Sequence, residues 1–143
     1  RRWHQVRGGR GLEPGGAAPG MRRVFSPSAR AKSFVYAWRG LVALITTQHN
    51  AWIHLAAAAG VMAAGARVGL ERWEWAWLIL AIGLVFAAEA MNTAIETLAD
   101  ALSPDFNEGV GRAKDVAAAA VLILALTAAL IGALVFLPHL SRL

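Results

Sequence analysis

Glu89, Asn92, Glu96 and Asp100 follow one another at intervals of three, four and four residues, inside a stretch that is otherwise almost wholly apolar. On a helix advancing roughly 100° per residue, these side chains share one face. A charged carboxylate at membrane depth costs on the order of 2.5–3.5 kcal/mol on insertion scales, so two or more on one face need a partner, a metal or a proton. A desolvated carboxylate can act as general base towards an alcohol. A second can hold Mg²⁺, which takes one or two carboxylates together with substrate phosphates. The same residues support other readings. They could be interhelical glue, with Glu89 held by His54 or by another subunit, or they could serve an ion- or proton-coupling membrane subunit that relays through Glu89 and Glu96.

Downstream, the run from Gly111 through Arg112 and Lys114 to Asp115 opens another long apolar stretch. A lysine at a helix N-terminus adds its charge to the positive end of the dipole and can seat a phosphate. Plain membrane anchoring by Arg112 and Lys114 is the bland alternative. The sequence has no GxxxxGK[ST] loop, no GxGxxG after a strand, no protein-kinase signature and no HExxH pair. Its four histidines, His4, His49, His54 and His139, are scattered, and cysteine is absent, which leaves no thiolate metal site and no disulfide framework.

These residues must be positioned by apolar helices. Residues 51–66 carry one polar side chain, His54; residues 75–88 carry none; residues 116–137 carry only Thr127. The last run meets the roughly 20 residues that a helix needs to cross about 30 Å of hydrocarbon. Gly60 and Gly65 suit close helix packing, and Trp73, Trp75 and Trp77 suit a membrane interface. Ahead of the spans, Phe34, Trp38, Leu41 and Ile45 form one stripe of a helix over residues 28–47, with Lys32 and Arg39 off it, as in an interfacial amphipathic helix. The expected fold is therefore an all-α integral membrane protein: a surface helix at 28–47, then spans at about 49–66, 74–100 and 115–138. Gly69 lies in the first linker, and Ser103-Pro104 with Gly109 and Gly111 in the second.

The chain has 143 residues, 57% of them hydrophobic, and a mean hydropathy of +0.49, which leaves room for one domain and sets it apart from ordinary soluble proteins. Nine of its 14 Lys and Arg residues fall within positions 1–39. A basic flank of this kind anchors on the cytoplasmic side and argues against nucleic acid as the partner of the net +5 charge. With that end inside, the carboxylate face and the loop after it also face the cytoplasm, where ATP is available. Residues 1–27, rich in Gly, Pro and Arg, are expected to be a disordered arm or an upstream extension; Met21 opens a sensible reading, and nothing in the segment resembles a cleaved signal peptide.

The stretch EAMNTAIETLAD from Glu89 to Asp100, followed by GRAKD from Gly111 to Asp115 and an Ala-rich span, resembles the prokaryotic diacylglycerol kinase/undecaprenol kinase family, over roughly residues 32–137. The resemblance implies three membrane helices behind a surface helix, homotrimers with active sites shared between subunits, residence in the bacterial inner membrane, and Mg²⁺-dependent transfer of the ATP γ-phosphoryl group to a lipid alcohol. It gives Glu89 as general base, Asn92 as its support and Glu96 as a metal ligand. It places Tyr36, Gln48, Glu96, Asp105, Phe106, Asn107, Lys114 and Asp115 at the nucleotide, and Trp38, Asn50, Trp52 and His54 along the lipid. Two positions depart from the family: Gln48 stands where a second metal-binding Glu is expected, and Asn107 where a His is frequent. The context AIGLV before the motif and Ser103-Pro104 after it are similar to the undecaprenol-kinase branch, which favours undecaprenol over diacylglycerol.

Overall fold

A computed structural model describes residues 27–105 and 107–140, with side chains from residue 30 onward. The expected arm at residues 1–27 falls, but for its last residue, outside the described residues, as does Phe106. Four helices follow in chain order: α1 (Pro27–Thr47), α2 (His49–Val68), α3 (Arg72–Leu102) and α4 (Glu108–Leu140). The described residues form no strand, and α2, α3 and α4 are each long and apolar enough to cross a membrane. The chain is thus the all-α membrane protein expected, three spans behind an N-terminal helix.

Local chemistry fixes where each helix stops. Gln48 is extended (φ −104°, ψ 117°) and separates α1 from α2. Gly69 ends α2 in the left-handed region (φ 73°), a conformation that side chains with a Cβ resist, and its N–H returns to the Gly65 carbonyl at 3.1 Å. Two residues later Glu71 and Glu74 form a reciprocal capping box, with the Glu71 N–H donating to Glu74 Oε2 at 2.8 Å. The α2–α3 turn is therefore capped on both sides. At the other end of α3, the Ser103 N–H closes on the Ala99 carbonyl at 2.9 Å, and Pro104 then stops the helix. Asn107 starts α4: its Oδ1 accepts from the N–H groups of Gly109 (2.9 Å) and Val110 (3.2 Å).

The closest packing is between α3 and α4, which run antiparallel through the short 103–107 connection. Leu70, Leu78 and Val135 form the buried core at the α2–α3 turn, with Val61, Val68, Trp75, Ile131 and Phe136 packed around them. Gly65 permits that packing, because a Cβ there would stand 2.8 Å from both Leu70 Cδ1 and Trp75 Cη2. Elsewhere large apolar side chains face outward, among them Trp77, Leu80, Leu84, Leu126 and Leu134. Such a surface suits hydrocarbon rather than water. Phe34, Tyr36 and Trp38 are likewise exposed on α1, whose Leu44 is buried at 3% exposure.

Candidate functional site

The helix continues without a break through the polar end of α3, so the spacing of Glu89, Asn92 and Glu96 becomes a shared face in space. Glu89 is 1% exposed and Asn92 7%. Asn92 Nδ2 donates to Glu96 Oε1 at 3.0 Å, one helical turn on. This bond fixes the amide flip and turns Asn92 Oδ1 away from Glu96. Among the described residues, Asn92 Oδ1 and Glu89 Oε2 are buried with no hydrogen-bond partner. Buried polar atoms normally find one, so two orphaned oxygens three residues apart on α3 mark a place shaped for something other than this chain's own groups.

They line a cavity of about 310 Å³ together with Glu96; α2 supplies Asn50, Ile53 and His54, and α4 supplies Ala118, Val121, Leu122 and Ala125. The alanines of α4 leave the room that the carboxylates occupy. His54 stands edge-on to Phe86, with ring centroids 6.5 Å apart and planes at 73°. His54 and Ala125 also line a second, apolar cavity of about 530 Å³, which runs between α2, α3 and α4 past Leu78, Val85 and Phe136. The two cavities therefore adjoin, with His54 and Ala125 in the walls of both. One end of the arrangement presents acids and an amide, and the other can take a hydrocarbon chain.

At the last turn of α3 lies a second polar group. Lys114 Nζ donates to Asp100 Oδ1 at 2.8 Å and joins the start of α4 to the end of α3. Arg112 and Glu108 pair at 3.7 Å on the exposed surface of α4. The Ser103 hydroxyl donates to the Asp105 carbonyl at 3.2 Å, and Asp105 and Asp115 are both solvent-exposed. Of the residues singled out from the sequence, the structure brings Glu89, Asn92, Glu96, Asn50 and His54 into one cavity. Gln48 is half-buried at the α1–α2 break and lies outside that lining. Tyr36, Trp38 and Trp52 are 63%, 67% and 57% exposed. Phe106 lies outside the described residues.

Two features were missed by sequence reasoning. Thr93 Oγ1 is buried without a partner beside Asn92, on the side of α3 that faces a groove against α1. Asn107 spends its side-chain oxygen on capping α4; its place as the Asn of an Asn-Glu-Gly stretch ahead of a long apolar run was the signal available.

For a divalent cation, the donors that α3 presents in this cavity are oxygens, the Glu96 carboxylate first among them. Among the described residues no group of three or more acidic, His or Cys side chains could close a metal site alone. The set fits a hard ion that brings much of its own coordination, as Mg²⁺ does when it arrives with phosphates.

Three apolar spans around a buried acid–amide face define a small polytopic membrane protein with a carboxylate-lined cavity in its helical bundle. Residues 35–136 match the family described as prokaryotic diacylglycerol kinase. The chain is 41% identical over 109 residues to an undecaprenol kinase of Bacillus subtilis, covering 76% of this chain and 89% of that one. It is 38% identical over 112 residues to a diacylglycerol kinase of Synechocystis sp., covering 78% of this chain and 64% of that protein. It is also 33% identical over 118 residues to a diacylglycerol kinase of Escherichia coli K12, covering 76% and 88%. The chain belongs to the prokaryotic diacylglycerol kinase family. It is a membrane-embedded lipid kinase, with ATP as co-substrate.

Proposed function

We propose that this kinase phosphorylates undecaprenol in preference to diacylglycerol, and that Glu89 takes the proton of the lipid hydroxyl. The observation that carries the reading is the buried Glu89 carboxylate, with Oε2 unpartnered, in a cavity that shares the walls His54 and Ala125 with a larger apolar one. A lipid alcohol laid along the two cavities sets its hydrocarbon against Ala57, Ala58 and Ala129 and its hydroxyl beside Glu89. The lipid oxygen forms a bond to the γ-phosphorus of ATP as the bond to the β-phosphate oxygen breaks; ADP leaves, and the hydroxyl proton passes to the Glu89 carboxylate.

Asn92 holds Glu96 through its 3.0 Å bond and so sets the direction of that carboxylate. Glu96 is the metal ligand in this reading, with Gln48 contributing at most a neutral carbonyl oxygen. Mg²⁺ bound there supplies charge neutralisation for the phosphates. Lys114, held by Asp100, and Asp115 contact the nucleotide, with Tyr36, Asp105, Phe106 and Asn107 around it. Trp38, Asn50, Trp52 and His54 border the lipid. The preference for undecaprenol draws on the 41% identity to the Bacillus subtilis undecaprenol kinase, above the 38% and 33% to diacylglycerol kinases. The concentration of Lys and Arg before the first span puts the N-terminus and this site on the cytoplasmic side of the bacterial inner membrane. The outward apolar faces of α2, α3 and α4 leave surface for a homotrimer with shared sites.

The test is phosphoryl transfer from ATP in mixed micelles with undecaprenol and diacylglycerol as acceptors. Phosphorylated undecaprenol formed faster is the expected result. Faster product from diacylglycerol overturns the preference, and full activity in Glu89→Ala overturns the base. Glu89-dependent proton flux in vesicles without nucleotide favours the ion-coupling alternative instead.

A further inference from the structure

Along every helix that walls them, the carboxylate cavity and the apolar one follow each other. On α2 the first takes Asn50 and Ile53, the second Ala57, Ala58 and Val61, and His54 lines both. On α4, Ala118, Val121 and Leu122 give way to Ala128, Ala129 and Gly132, and Ala125 lines both. On α3, Glu89, Asn92 and Glu96 give way to Val85, Ile82 and Leu78. An acceptor with its hydroxyl at Glu89 therefore passes its next few atoms between His54 and Ala125.

Beyond that pair the walls offer no donor. Among the described residues, His54 is the one polar side chain that lines the apolar cavity. The stretches of α2, α3 and α4 around it lie inside those helices, where each N–H is already bonded four residues back. A neutral imidazole offers a single N–H. The neighbours add nothing: Asn92 Nδ2 is committed to Glu96, Thr127 Oγ1 donates to the Ile123 carbonyl, and Asn50 is exposed one turn before His54. A diacylglycerol carries an ester on each of the two glycerol carbons beyond the one that bears the hydroxyl. At the bilayer boundary water hydrates both carbonyls. Drawn in behind the hydroxyl, they share one N–H between them, and a buried carbonyl without a donor is costly. A polyprenol has only hydrocarbon beyond its hydroxyl and meets no such cost.

We propose that the apolar cavity selects the acceptor by its carbonyls: ester-free alcohols, polyprenyl or alkyl, pass between His54 and Ala125, and esters are disfavoured whatever the number of their chains. Ala125 is the specificity-determining position, because it faces the passage with a methyl group where an ester needs a donor. The inference rests on the acceptor hydroxyl lying in the carboxylate cavity, as proposed above. It does not depend on which residue takes the proton.

The test compares kcat/KM for two glycerol acceptors of equal chain length, one diester and one diether, with ATP and the full chain in mixed micelles. The diether keeps the hydroxyl and both chains and has no carbonyl. It should exceed the diester by about tenfold or more, the scale of one buried carbonyl left without a donor. Ala125→Asn adds an amide N–H at the passage and should shrink that ratio to about threefold or less. Equal kcat/KM for the two acceptors in the unaltered chain overturns the proposal, as does a ratio that Ala125→Asn leaves unmoved. If Ala125→Asn does not fold, Ala58→Ser, on the α2 wall, makes the same comparison. Diacylglycerol phosphorylated faster than undecaprenol, alongside a diether faster than its diester, overturns the polyprenol preference and supports the selection against carbonyls.

Discussion

Consider Glu89→Gln, a change that keeps the shape of the side chain and removes its charge. Glu89 is 1% exposed, and Oε2 has no partner among the described residues. On insertion scales, an acid at membrane depth costs on the order of 2.5–3.5 kcal/mol. The new amide still needs partners in the same cavity and loses part of that gain, about 1 kcal/mol for one unmade hydrogen bond. The net expectation is a protein more stable by at most roughly 1.5–2.5 kcal/mol, since the insertion figure applies at the bilayer centre and falls towards the boundary. Activity moves the other way. Loss of a positioned general base lowers kcat by about 10²–10⁴-fold, or roughly 3–5 kcal/mol of transition-state stabilisation. The assay pairs steady-state kinetics in mixed micelles with thermal unfolding in the same detergent. A variant that loses stability and activity together would refute the reasoning, since Glu89 would then be holding the bundle. So would a kcat within about threefold of the parent, far short of what a lost general base removes.

Lys114→Ala should raise KM for ATP by about tenfold or more, the scale of one charge-assisted hydrogen bond, and leave KM for the lipid unchanged; a change confined to the lipid KM argues against a nucleotide role. Gln48→Glu should tighten apparent Mg²⁺ affinity in a metal titration of the kinase reaction, and a weakened affinity would mean that Gln48 does not face the site. Gly65→Val should destabilise the fold by about 1–3 kcal/mol, because its Cβ would stand 2.8 Å from Trp75 and Leu70; detergent unfolding curves coincident with the parent's would show that the α2–α3 turn repacks freely.

The spans were legible in the sequence because hydrocarbon makes a simple demand: residues 116–137 carry Thr127 alone, and Thr127 bonds its own helix, donating to the Ile123 carbonyl at 2.8 Å. The grouping of Glu89, Asn92 and Glu96 was legible for the same kind of reason, since helical periodicity acts within one element. The facing wall was not. Ala118 and Ala125 contribute absence of bulk, and alanine in an Ala-rich helix carries no mark of which face it occupies. Nor was the Glu74–His139 contact, 3.5 Å across, whose partners belong to different spans and show no shared period. Asn107 shows a different limit: the resemblance sets it at the nucleotide, and the part its Oδ1 plays in capping α4 appears only in the structure.

The length of α3 sets the depth at which Glu89 lies. Its 31 residues extend about 46 Å at 1.5 Å per residue, against about 30 Å of hydrocarbon. With Trp73 near one boundary, Glu89 lies about 24 Å along the helix, roughly one turn short of the opposite boundary. An amphiphile anchored in that opposite leaflet keeps its own hydroxyl at nearly the same level. With Glu89 as the proposed base, the acceptor reaches it by lateral diffusion alone, its tail still among its neighbours. The helix works as a depth gauge, and phosphorylation needs no extraction of lipid from the bilayer.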